Sequence, residues 1–299
     1  MSLIVIGSVA LDSVETPFGR RDDVLGGSAS FFSTVASFFT PVRLVAVVGE
    51  DFPEEHVAFL RQRGIDLAGL TRIPGGRTFR WRGRYGENLN EAHTLETQLN
   101  VLEHFDPVLP AGYRSAEYVF LANIDPDLQS RVLDQVEKPK FVAADTMNFW
   151  IDGKLPALRK LMERLDCMVL NDGEAKQLTG ETNISRAARA IRAMGPKQVV
   201  IKRGEYGALA FGDETFAVPA FPLEEVRDPT GAGDSFAGGF MGHLAATGRN
   251  DHEAVRSAVV MGSVAASFAV EQFSLDGLRT LTRQDLLARH DAFRRLVYF

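Results

Sequence analysis

The sequence predicts a doubly wound α/β fold: a mainly parallel central sheet with helices on both faces, carrying a small β-sheet lid. Three observations predict it. Continuous apolar runs such as 3–9 and 42–48 recur along the chain, as strands covered on both faces require. Helical segments alternate with these runs, and from residue 117 onward the β/α alternation is uninterrupted. Two stretches, about 13–25 and 77–101, break the series with two-residue periodicity and read as inserted hairpins.

Bulk properties narrow the function. The chain has 299 residues, 45% of them hydrophobic, enough for one large core, and it shows no repeat, low-complexity tract or linker. The expectation is therefore one domain over 1–299 with a lid. A net charge of -6 argues against nucleic acid or anionic membrane as a partner. The single cysteine, Cys167, sits in an apolar run and excludes a disulfide framework or a cysteine-based zinc site. No stretch approaches the ~18 apolar residues of a membrane span. The run 3–9 is too short for a signal peptide and lacks its charged flank. A soluble, cytoplasmic protein is expected.

The first strand is 3–9. Gly7 opens no G-x-G-x-x-G fingerprint, which counts against a dinucleotide-dependent oxidoreductase. Asp12 lies just past this strand, on the side where open α/β sheets bind ligands. In the first hairpin Val14, Thr16 and Phe18 alternate with Ser13, Glu15 and Pro17. Gly26 and Gly27 then precede a helix over 28–39, with Phe31 and Val35 at helical spacing, so a substrate could approach bare backbone there. A strand over 42–48, a helix over 53–63 and a further segment from Ile65 follow. In the second hairpin Phe79, Trp81 and Tyr85 alternate with Arg80, Arg82 and Arg84. The arginine face reads as solvated and the aromatic face as a cover for substrate or for another subunit. Strands are expected at 118–122, 141–144, 167–170 and 198–202, with helices between them and a hairpin over 208–218. Helices over 252–268 and 282–296 close the chain.

The stretch Asp228-Pro-Thr-Gly-Ala-Gly-Asp234 carries the chemistry. Pro229, Gly231 and Gly233 point to a loop up to Asp234, followed by a helix from Ser235 that is apolar nearly all round and therefore buried. Gly238, Gly239 and Gly242 weaken that helix and imply another backbone packed close against it. Free N–H groups of Ala232, Gly233 and Asp234 would then face outward at the positive end of a buried helix, an anion-binding arrangement. A carboxylate is unfavourable beside an anion, so Asp234 calls for a chemical reason. A general base next to a phosphoryl group supplies one.

Three further junctions carry polar residues: Asp145 to Asn148, Asn171 to Glu174, and Lys202 to Gly207. A parallel sheet opens all of them on the edge that holds Asp12, Gly26, Gly27 and 231–234. The set fits phosphoryl transfer, with Asp234 accepting the proton of an attacking hydroxyl, a role worth ~10²–10⁴-fold. Glu174, helped by Asn171, could hold Mg2+ through water. No G-x-x-x-x-G-K-[ST], H-E-x-x-H or G-x-S-x-G is present to suggest another chemistry.

These residues resemble the ribokinase-like (PfkB) family of carbohydrate and nucleoside kinases over essentially the whole chain. The 228–234 stretch is similar to the family's C-terminal signature, and Gly26-Gly27 with Gly49-Glu50-Asp51 to its N-terminal one. Asn171-Asp172-Gly173-Glu174 looks like the N-x-x-E motif, and Lys202 to Gly207 like the nucleotide-binding turn. The resemblance implies ATP-dependent phosphorylation of a sugar or nucleoside hydroxyl. Asp234 would be the base and Gly231, Ala232 and Gly233 part of the anion hole. Asn171 and Glu174 would lie at Mg2+ and phosphate, and Lys202, Gly204 and Gly207 near the nucleotide. Asp12, Gly26 and Gly27 would lie at the substrate. It also implies a lid used for dimerisation and, in some members, a monovalent-cation site such as K+ at the positions of Asp228 and Thr230. The chain departs from ribokinases at Ala10 and Phe31, where an Asn is usual. Phe31, with Trp81 or Phe79, could instead line an apolar pocket for a nucleoside. The alternative is a catalytically silent sugar- or nucleotide-binding regulatory protein of the same fold.

Overall fold

Alternate residues of the central strands face opposite sides of the sheet, and the continuous apolar runs arise because both sides are buried. Leu3 and Val5 join one core while Ile4 and Ile6 join the other. The same split separates Val169 from Met168 and Leu170, and Val200 from Val199 and Ile201. The structure is a computed structural model and describes residues 1–298. The first half of the chain runs β1 (Leu3–Ile6), β2 (Ala10–Thr16), β3 (Gly19–Gly26), α1 (Ser28–Ala36), β4 (Val42–Gly49), α2 (Glu54–Gln62), β5 (Asp66–Ile73), β6 (Phe79–Tyr85), β7 (Ala92–Gln98), β8 (Tyr118–Leu121), α3 (Pro126–Leu133) and β9 (Phe141–Ala144). The second half runs α4 (Asn148–Gly153), α5 (Leu155–Met162), β10 (Cys167–Asn171), α6 (Asp172–Thr179), α7 (Ile184–Ala193), β11 (Gln198–Lys202), β12 (Ala208–Phe211), β13 (Thr215–Val218), α8 (Ala232–Thr247), α9 (His252–Ala269), α10 (Asp276–Thr280) and α11 (Arg283–Val297).

The main sheet has nine strands in the order β13-β12-β11-β10-β9-β8-β1-β4-β5. All neighbours from β11 to β5 pair parallel, and β12 and β13 form an antiparallel margin. The chain leaves β1 toward β4 on one side and later returns to build β8 on the other. That reversal opens a crevice beyond the C-terminal ends of β1 and β8. The two inserted hairpins meet in a second, four-stranded sheet, β3-β2-β6-β7, in which β2 and β6 pair parallel. No helix is long and apolar enough to cross a membrane among the described residues.

Several boundaries differ from expectation for identifiable reasons. β1 stops at Ile6, and Gly7 after it packs closely: an added Cβ there would stand 2.8 Å from the Ala122 Cβ. Asp12, expected just past the first strand, lies on the lid strand β2, at a bulge in its pairing with β3. Helix α8 starts at Ala232, three residues before Ser235, because Gly231 takes the left-handed N-cap conformation (φ 74°) and Gly233 enters the helix. α8 is buried as its composition requires, between α1 and α9. An added Cβ would stand 2.5 Å from the Phe32 carbonyl oxygen at Gly238, and 2.9 Å from that of Met261 at Gly239. Short α4 and α10 show too few turns to leave a periodic pattern in the sequence.

Candidate active site

One side of the site is built from three elements that meet at the end of β1. Ser8 and Ser28 exchange backbone-to-hydroxyl hydrogen bonds, Ser28 N–H to Ser8 Oγ at 3.0 Å and Ser8 N–H to Ser28 Oγ at 3.2 Å. These bonds fasten the start of α1 to the main sheet. Gly27 caps α1 with φ 89°, a conformation open to glycine, and an added Cβ would stand 2.5 Å from the Ser8 carbonyl oxygen. The Asp12 carboxylate drops into the notch beside these glycines. Its Oδ2 accepts the Gly27 N–H at 3.2 Å and occupies the space that a Cβ on Gly26 would need. Asp12 is buried, and burial pushes its carboxyl up to about 7; the Gly27 N–H opposes the rise, and the charges of Asp234 and Asp228 add to it. Asp12 pairs with Trp81 across the parallel β2–β6 ladder. The face of β6 shared with Asp12 therefore carries Phe79, Trp81 and Tyr85, and the arginines point the other way. Arg82 and Arg84 are exposed, and Arg80 is held by Asp23 and Asp51.

The other side is built on α8. Its first turn contains Ala232, Gly233 and Asp234. The Ala232 N–H makes only a turn contact to the Pro229 carbonyl at 3.1 Å, and Ser235 is the first residue bonded back to Gly231, at 2.8 Å. Lys202, at the end of β11, reaches across this turn: a Cβ on Gly233 would stand 2.6 Å from its Nζ. A cation and helix-start amides thus share one position, where phosphate charge is favoured. Three carboxylates surround them. Burial raises Asp234, Asp145 and Glu174 above the usual range, and Lys202 pulls each of them back down.

Asn171 and Glu174 form a capping box at the start of α6. Asn171 Oδ1 accepts the Glu174 N–H at 2.8 Å and Glu174 Oε2 accepts the Asn171 N–H at 2.8 Å. This bonding leaves Glu174 Oε1 outside the box. Asp145, at the end of β9, is buried with no hydrogen-bond partner for Oδ1 among the described residues. Two carboxylates with spare oxygens, close to the anion position, suit a hard cation bound mainly by water and phosphate. No group of three or more His, Cys, Asp or Glu forms an all-protein metal cage among the described residues.

Past Lys202 the chain makes a 3-10 turn over Gly204–Tyr206, and both Gly204 and Gly207 take positive φ. Asp228 is buried with both oxygens engaged, by the N–H groups of Thr230 and Ser274, each at 2.9 Å. Phe31 does not take the place expected of it. Its side chain is 1% exposed and its ring lies against Gly231, so it supports the loop from beneath rather than offering a wall to substrate. Two residues carry no role of their own in the sequence reading. Asp145 was visible only as a polar strand end. Tyr85 was visible only as part of an alternation; its phenol oxygen accepts the Thr230 hydroxyl at 3.3 Å.

The sequence profile of the pfkB family carbohydrate kinases matches residues 21–277. The chain belongs to this family. It is 33% identical over 263 residues to a cytidine kinase of Thermococcus kodakarensis, spanning 86% of this chain and 92% of that one. Its fold is similar to that of Burkholderia thailandensis nucleoside kinase in complex with inosine, with a TM-score of 0.80, 20% identity, and coverage of 99% of this chain and 98% of that one. It is also similar to an E. coli protein provisionally called ribokinase II and solved with ATP and Mg2+. That match has a TM-score of 0.78, 20% identity, and coverage of 97% and 99%.

Proposed function

We propose that this pfkB-family chain transfers the γ-phosphoryl group of ATP to a hydroxyl of a nucleoside. The observation that carries this reading is the first turn of α8, where helix-start amides without helical partners, the Asp234 carboxylate and the Lys202 ammonium share one small volume. Asp12 aligns the acceptor by accepting a hydrogen bond from one of its hydroxyls. Asp234 takes the proton of the attacking hydroxyl, and burial raises its affinity for protons above that of an ordinary carboxylate. The amides of Ala232, Gly233 and Asp234, with Lys202, stabilise charge on the transferred group without reorganising. Asn171 orients Glu174 through the capping box, and Gly204 and Gly207, both at positive φ, shape the turn beside the nucleotide. Asp145 and Glu174 would hold Mg2+ through water. When bound, Mg2+ neutralises phosphate charge.

The choice of a nucleoside over a simple sugar rests on two supports. The Thermococcus cytidine kinase spans nearly the whole chain. The half-buried aromatics Phe79 and Trp81 lie on the Asp12 face of the lid, where a flat base could stack. An ADP-release assay with ATP, Mg2+ and cytidine, uridine, inosine, adenosine, ribose or fructose tests the choice. Turnover with one or more nucleosides is expected. Turnover with ribose or fructose alone overturns the nucleoside assignment, and none with any acceptor overturns the kinase reading.

A further inference from the structure

The lid touches the phosphate side of the site at two points, both supplied by residues 85–90. Tyr85 is the last residue of β6, and it is buried. Its phenol oxygen accepts the Thr230 hydroxyl at 3.3 Å. The Thr230 N–H is in turn fixed by Asp228 Oδ1 at 2.9 Å, and Asp228 Oδ2 takes the Ser274 N–H at 2.9 Å. Thr230 immediately precedes Gly231, whose left-handed backbone aims the chain into α8. A phenylalanine would fill the same space as Tyr85, so only the hydroxyl makes this link. Five residues on, Asn90 Nδ2 donates to Glu205 Oε1 at 3.4 Å, and its Oδ1 sits where a Cβ on Gly204 would fall. One lid segment therefore grips the anion loop at one end and the 204–207 turn at the other.

We propose that Tyr85 is a positioning residue, through which the lid sets the anion loop by way of Thr230, while Asn90 sets the nucleotide turn. The assignment rests on the kinase reading for the purpose of these loops, and not for the contacts themselves. The lid then does more than exclude water. Its seating over the acceptor and the aim of the 232–234 amides become one event, because both depend on the same strand end. Losing one hydrogen bond between neutral groups costs about fivefold in an equilibrium, which sets the scale of the expected effects.

Tyr85→Phe, Thr230→Val and the double variant test it by hydrogen exchange on the unliganded protein. The peptide over 228–236 reports the amides of Thr230, Ala232 and Ser235, which are bonded to Asp228, Pro229 and Gly231. The proposal expects about fivefold faster exchange there in each single variant, no further increase in the double, and a Tm within about 3 °C of the parent. In the ADP-release assay, kcat falls about fivefold in Tyr85→Phe while the acceptor KM stays within about twofold. Asn90→Ala raises the ATP KM and leaves exchange over 228–236 unchanged. Unaltered exchange in Tyr85→Phe overturns the proposal whether or not the chain proves to be a kinase. Additive effects in the double variant overturn the route through Thr230. An unchanged ATP KM in Asn90→Ala overturns the second contact.

Discussion

The edge of the main sheet and the lid are built by different means. At the edge the backbone makes the site: Gly27 and Gly231 take conformations closed to most side chains, and the first α8 amides lack helical partners because a helix has to begin somewhere. In the lid the side chains make the site, on an ordinary alternation that puts Phe79, Trp81 and Tyr85 on one face and three arginines on the other. The difference divides the labour. Rigid backbone suits charge stabilisation, which gains from donors that need not move. An alternating strand suits recognition, since each inward residue can change without disturbing the ladder. On this account, substitutions at the edge act on kcat, those at Phe79 and Trp81 on the inward lid face act on the acceptor, Tyr85 acts on kcat through its bond to Thr230, and those on the outward lid face act on neither.

The largest effect short of removing the base is expected at Lys202. Lys202→Met takes away the one cation that opposes the rise of Asp145, Asp234 and Glu174. kcat should fall by about 10²-fold, and the acid side of the pH–rate profile should move upward as these carboxyls hold protons more tightly. A loss confined to KM would show that Lys202 only binds nucleotide.

A smaller effect, with opposite signs for stability and activity, is expected from Asp12. Its carboxyl is raised from 3.8 to about 7, so between those values the folded chain keeps a proton that the unfolded chain has released. The stability this contributes is present below about pH 4 and is lost as pH rises through about 7. If the ionised Asp12 binds the acceptor, as proposed, kcat/KM for the acceptor should fall as pH drops below about 7, approaching tenfold per unit. Melting temperature and kcat/KM, followed from pH 5.5 to pH 8.5, should show opposing slopes in wild type that are shallower in Asp12→Asn, where Asp234, Asp145 and Glu174 still titrate. Identical profiles in the two proteins would separate Asp12 from acceptor binding. The smallest effect is expected on the outward lid face. Arg84 and Glu15 form an exposed pair at 3.2 Å, so Arg84→Ala should change stability by less than about 0.5 kcal/mol and leave kcat unchanged. A large loss of activity there would erase the contrast between the two lid faces.

The same contrast explains what could be read from the sequence. Strands Phe141–Ala144, Gln198–Lys202, Ala208–Phe211 and Thr215–Val218 lie where the apolar pattern put them, because sheet burial imposes that pattern directly. The two hairpins were legible from period-two alternation, although nothing local revealed that β2 and β6 pair parallel to make one lid. The convergence of strand ends was legible because a parallel sheet has one C-terminal edge. The start of α8 was misplaced because a glycine can be either a loop residue or a helix cap. The distinction lies in the φ of Gly231. Asp145, Tyr85 and the packing of Phe31 under Gly231 were hidden because each is defined by what it touches across the fold, and one chain's residue order does not carry that.

The central claim is that Asp234 removes the acceptor's proton at the mouth of α8. The rate of ATP-dependent nucleoside phosphorylation in Asp234→Asn, set against its melting temperature, tests this most directly. The account predicts a loss of about 10²-fold or more in kcat, with an equal or higher Tm, because removing a carboxylate whose ionised form burial disfavours relieves the fold. A variant that folds normally and keeps wild-type kcat would contradict it.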